Sequence, residues 1–86
     1  MNSKWPVVEV DNEANAAYIG FSERSGRIAS DSIPVRSKQG DVIALLDFGP
    51  DGQLLGVELL DARKQVPDAL RDRIRYLPAE PPGESS

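Results

Sequence analysis

Two apolar runs of strand length, residues 42–48 and 54–60, are joined by Gly49-Pro50-Asp51-Gly52-Gln53, and this pairing limits what the chain can become. Pro50 presets the first corner of a turn, Asp51 suits the second, and Gly52 can take the positive φ that closes a short loop. The stretch therefore reads as a β-hairpin. Its first strand points Val42, Ala44, Leu46 and Phe48 one way and Ile43 and Leu45 the other, and Leu54, Leu55, Val57, Leu59 and Leu60 make the second equally apolar. A strand that is apolar on both faces has to be covered on both faces. The hairpin thus asks for one layer from the rest of the chain and another from a helix or a second copy of the protein.

Taken in order, the remaining segments supply strands first. Residues 5–10 form a strand with Pro6 at its start, where no ladder donor is needed. Asp11, Asn12, Glu13, Ala14 and Asn15 make a turn, because Asp and Asn side chains bond nearby backbone N–H groups. Residues 16–21 form a second strand and residues 22–26 a loop ending in Gly26. In a third strand, residues 27–36, Ile33 and Val35 fall on the opposite parity from Ile28, so a bulge is expected near Asp31 or Ser32. Pro34 argues that this strand lies at an edge. Residues 38–41 then turn into the central hairpin.

After Leu60 the period changes. Asp61 heads a single helical turn as its N-cap, and Val66, Leu70, Ile74 and Leu77 then recur at the spacing of one helical face. Pro67 and Asp68 suit the first turn of that helix, and Pro78 stops it. The expected fold class is α+β: an antiparallel β-meander of about five strands, with a C-terminal amphipathic helix packed on one face. Residues 1–78 are expected to make one small domain, and the polar, proline-rich residues 79–86 a disordered tail.

With 86 residues, the foldable part can supply only about 3–5 kcal/mol from a single core. The chain holds neither cysteine nor histidine, which removes disulfides, the commonest zinc ligands, and Ser-His-Asp and Cys-His catalysis together. Self-association is the remaining source of stability, and a homodimer is expected. The residues expected to carry the interaction are Leu46, Phe48, Leu55, Val57 and Leu59, with Leu70 and Ile74 of the helix. The N-terminus has no apolar leader, and the longest apolar runs are interrupted by Asp47 and Glu58, so the chain reads as cytoplasmic with no membrane partner.

Candidate chemistry is sparse. Asp11, Glu13 and Asn15 alternate like the start of a calcium loop, but position six is Ala16 and position twelve is Ser22, so a turn-forming cluster is the better reading. Asp47 and Glu58 interrupt apolar strands and would be neighbours across the hairpin, where paired carboxylates can share a proton or hold a cation. Together Asp11, Glu13, Asp47 and Glu58 form the alternative reading, a carboxylate-based metal-binding protein or small enzyme. Charges that blunt a sheet edge explain them as well. Gly56 marks either a bulge or a place where another backbone, or a ring such as that of Trp5 or Tyr18, approaches closely. The net charge is −4, and residues 61–78 carry five basic and three acidic side chains, too few for a nucleic-acid footprint. A solvated face accounts for Arg63, Lys64, Arg71, Arg73 and Arg75, with contact to an acidic partner or RNA as the lesser reading. No catalytic residue and no cofactor is expected.

Two stretches carry a family resemblance. Residues 10–19 read Val-Asp-Asn-Glu-Ala-Asn-Ala-Ala-Tyr-Ile, and residues 46–62 read Leu-Asp-Phe-Gly-Pro-Asp-Gly-Gln-Leu-Leu-Gly-Val-Glu-Leu-Leu-Asp-Ala. Over residues 7–65 the chain resembles the bacterial domain of unknown function (DUF) 2283 family. It departs from the family's usual opening at Val10, Asn15 and Ala17, where Tyr, Asp and Leu are usual. The Asn15 change counts against metal binding by the opening turn. The resemblance brings no activity; some members are encoded beside toxin-like partners, which implies an accessory or antitoxin-like role.

Overall fold

The computed structural model describes residues 4–22 and 31–77. Residues 23–26 of the second loop, the strand opening with Ile28 and Ala29, Pro78 and the tail 79–86 lie outside the described residues. The strands are β1 (Val7–Asp11), β2 (Ala16–Gly20), β3 (Asp31–Arg36), β4 (Val42–Phe48), β5 (Leu54–Leu59) and β6 (Ile74–Leu77). A four-residue helix, α1 (Ala62–Gln65), and a 3-10 helix (Asp68–Arg73) lie between β5 and β6. All six strands join one sheet in the order β3-β4-β5-β2-β1-β6, antiparallel except where β6 runs parallel to β1.

The central hairpin forms as its residues dictate. Gly52 takes φ +87°, its N–H donates to the Gly49 carbonyl at 2.9 Å, and Gly49 N–H donates to the Gln53 carbonyl at 2.8 Å. The turn after β1 also forms: the Asp11 carboxylate accepts the N–H groups of Glu13 and Ala14 at 3.0 and 3.1 Å.

The five-stranded meander is not what the chain builds. β2 pairs with β5, not with β3, so a two-stranded hairpin and the three-stranded unit β3-β4-β5 meet along the β2–β5 seam. The physical reason lies in β3. A meander would set it between β2 and β4, where Pro34 would lose a ladder bond on a strand hydrogen-bonded on both sides. At the sheet edge that loss is harmless, and β5, apolar on both faces, takes the central place. The bulge expected near Asp31 or Ser32 is also displaced. Those residues pair regularly with Phe48 and Asp47, and the register shifts fall at Val35/Arg36 and opposite Asp47/Phe48.

Residues 66–77 do not form the expected C-terminal amphipathic helix. After Pro67 the backbone winds into the 3-10 helix, with Leu70 N–H donating to the Pro67 carbonyl at 3.0 Å, and Ile74 then opens β6. A 3-10 helix rises about 2.0 Å per residue against about 1.5 Å for an α-helix, so the same residues reach further toward the open side of β1. There Ile74, Arg75, Tyr76 and Leu77 alternate as a strand should, and Arg75 meets Glu9 of β1 at 3.2 Å. Val66, Leu70 and Ile74 still pack on one core, built of Val8, Val10, Ala17 and Ala62. A helical face and this helix-then-strand path bring the same three residues to the same place.

Candidate functional site

The position of α1 rests on one residue of the β1–β2 turn. Asn15 sits in the left-handed region at φ +53°, which Asn tolerates better than most residues. Its backbone carbonyl accepts Ala62 N–H at 2.9 Å, its side-chain oxygen accepts Arg63 N–H at 2.9 Å, and its amide donates to the Asp61 carboxylate at 2.9 Å. Asp61 is the N-cap by position but makes no side-chain cap bond to its own helix; Asn15 caps it from across the chain. Gln65 closes the turn from the other end by accepting Asp61 N–H at 2.7 Å, and its own amide donates to the Ile43 carbonyl at 3.0 Å.

The short helices cover only part of one sheet face. Register puts Val8, Val10, Ala17, Ile19, Val57, Leu59, Ala44 and Leu46 on that face, together with Ile33 and Val35 of β3. Over β1 and β2 it is closed by Ala62, Val66 and Leu70. Toward β3 it is open: Ile33 is 46% exposed, while Val35, Leu46, Phe48 and Val57 are half-buried. Of the expected interaction residues, Leu46, Phe48 and Val57 lie in this open region. Leu59, Leu70 and Ile74 pack against the core, and Leu55 is buried at the register shift beside Gly49. Ile33 belongs to the open patch and was missed from the sequence, although its alternation with Val35 on an edge strand was a usable signal.

Carboxylates gather on the opposite face. Glu9, Asp11, Tyr18, Asp47, Glu58 and Leu77 are among the residues lining a shallow groove of ≈ 340 Å³. Glu9, Tyr18, Glu58 and Leu45 form a cross-strand row, and Asp47 lies diagonally from Glu58, opposite Gly56. Asp47 is 9% exposed and accepts a 2.7 Å hydrogen bond from the Ser32 hydroxyl. Tyr18 extends across Gly56, where any Cβ would collide with its hydroxyl and stand 2.8 Å from the Ile19 carbonyl oxygen. The ring approaching Gly56 is therefore that of Tyr18. Asp11 spends its carboxylate on its own turn, and Glu13 stands exposed outside the groove. Among the described residues no three acidic side chains are placed to hold a metal ion.

A second hollow, of ≈ 250 Å³, opens between the β1–β2 turn, α1, the 3-10 helix and β6. Val10, Val66 and Ile74 supply apolar lining, and Asn12, Asn15, Arg63, Asp68, Arg71 and Tyr76 supply polar groups. Among the described residues no helix is long and apolar enough to cross a membrane.

A family model described as "Protein of unknown function (DUF2283)" matches residues 8–63, from β1 to the start of α1. No curated protein and no solved structure matches.

Proposed function

The chain belongs to the DUF2283 family, and from that premise we propose that it is a protein-interaction module that pairs with a second copy of itself through the open part of its apolar sheet face. One observation carries the reading: α1 and the 3-10 helix close that face over β1 and β2 but leave Ile33, Leu46, Phe48 and Val57 uncovered or half-covered over β3, β4 and β5. A second copy offers the same patch, which is what a two-fold interface requires. Pairing by edges is disfavoured on the β3 side, where Pro34 removes a donor. An accessory or antitoxin-like role fits the same class of behaviour, one chain held by the surface of another.

Size sets the expected strength. Three strands about 4.8 Å apart and about 20 Å long present a flat patch of roughly 300 Å², well short of the ~800 Å² per partner of a standard interface. The dimer should therefore be of micromolar affinity and dissociate on dilution. Sedimentation equilibrium across that range tests it: the wild-type chain should shift toward twice the mass of one chain, and Ile33→Asp should stay at one chain with an unchanged circular dichroism spectrum. A wild-type particle of one chain at the highest concentration would overturn the proposal.

A further inference from the structure

The sheet has two edges, and they differ in kind. β3 ends it on one side with Pro34 at its middle; β6 ends it on the other with Ile74, Arg75, Tyr76 and Leu77, a run without proline. Among the described residues no strand pairs with the outer side of β6, and Tyr76 and Leu77 are 52% and 37% exposed. Register places Ile74 and Tyr76 opposite Val8 and Val10, so the β6 side chains on the core face line the hollow beside the edge.

The segment that walls this hollow is basic in an acidic protein, and Arg63, Arg71 and Asp68 are the charged residues of the lining. Residues 61–77 hold five basic and three acidic side chains, a balance of +2, while the whole chain holds ten and fourteen, so the remainder stands at −6. Among the described residues the Arg63 guanidinium reaches only the Asn12 carbonyl, at 3.5 Å, and Arg71 is bound at 2.8 Å to Asp68 in a pair whose side chains are 71% and 91% exposed. Exposed pairs of this kind hold their members weakly, so both guanidinium groups can turn to a carboxylate arriving at the rim.

We propose that the outer edge of β6, with the hollow beside it, binds an extended acidic peptide by strand addition. The peptide backbone pairs with β6, one apolar side chain enters the hollow over Val10, Val66 and Ile74, and flanking carboxylates meet Arg63 and Arg71. Main-chain pairing of this kind supplies affinity, and the alternating side chains supply selectivity. The 3-10 helix and β6 both lie beyond the segment matched by the family model, whereas Val10 and Arg63 lie within it.

Fluorescence anisotropy with the full chain tests the assignment, using labelled peptides that alternate valine with glutamate, alternate valine with lysine, or carry proline at the centre of the glutamate series. The glutamate peptide should bind in the micromolar range, and the other two at least about tenfold more weakly. Arg63→Glu and Arg71→Glu should each weaken it by about tenfold, whereas Lys64→Glu, equally exposed but not lining the hollow, should change it little. Amide shifts on binding should centre on residues 74–77. Equal binding of the lysine or proline peptide, indifference to both arginine variants, or shifts centred on β3 to β5 would each overturn the proposal. So would displacement of the peptide by a single-stranded RNA that binds more tightly. A one-chain particle that binds the peptide, or a dimer that does not, separates this site from the self-association above.

Discussion

Asn15 offers the sharpest test of how this fold holds the α-helix α1 against the sheet. Replacing it with Ala removes the amide donated to Asp61 and the acceptor for Arg63 N–H, and leaves a β-carbon at φ +53°. The bond to the carboxylate is worth about 1.5–3 kcal/mol and the neutral one about 0.5–1.5 kcal/mol. Because the first is part-buried and the second exposed, the lower end of each range applies, about 2 kcal/mol together. Left-handed strain adds about 1 kcal/mol for Ala. Asn15→Ala should therefore cost about 3 kcal/mol, most of the margin of a core this small. Asn15→Gly removes the strain and keeps the carbonyl that accepts Ala62 N–H, so about 2 kcal/mol should be lost there, plus a few tenths for added freedom in the unfolded chain. Asn15→Asp keeps the acceptor but turns a carboxylate toward Asp61, so it should be unstable at neutral pH and recover in acid, where a protonated side chain can donate. Urea unfolding followed by circular dichroism reads all three, with the slope as a check that the unfolded state is unchanged. Ala and Gly variants within about 0.5 kcal/mol of wild type, or an Asp variant as stable as wild type at neutral pH, would refute the argument.

Gly56→Ala should destabilise by about 2 kcal/mol in the same assay, since the new methyl meets the Tyr18 hydroxyl and the Ile19 carbonyl. Adding Tyr18→Ala should return only part of that loss, because the carbonyl contact remains; a full return would show that the backbone is not tight there. Ser32→Ala should cost about 1 kcal/mol by removing the hydroxyl bonded to the largely buried Asp47 carboxylate, and no loss would mean that water replaces it.

The local devices were legible because each depends on residues close in sequence. The Pro50-Asp51-Gly52 turn, the Asp11 turn and the single helical turn behind Asp61 all formed where the residues placed them. What escaped was long-range. Nothing near Asn15 in the chain says that its amide will meet a carboxylate 46 positions later. The groove carboxylates were only half legible for the same reason. Asp47 and Glu58 share one hairpin and could be set on one face by parity alone, whereas Glu9 joins them only through the β2–β5 pairing.

Both departures from the expected fold arise where a strand pairs with a partner that is not its neighbour in sequence. Pro34 marks β3 as an edge strand, whereas a meander sets β3 in the middle; both cannot hold, and the missing ladder donor decides for the edge. With β3 at the edge, the three-stranded unit turns its opposite side, β5, toward β2, which is the observed sheet. The same arrangement leaves β1 with an open ladder on its far side. Such a ladder competes with helix formation for any nearby segment whose residues alternate. Ile74 to Leu77 alternates, carries a β-branched residue and an aromatic, and places Arg75 against Glu9, so pairing with β1 outweighs the extra turn of a helix that Pro78 would have ended at once.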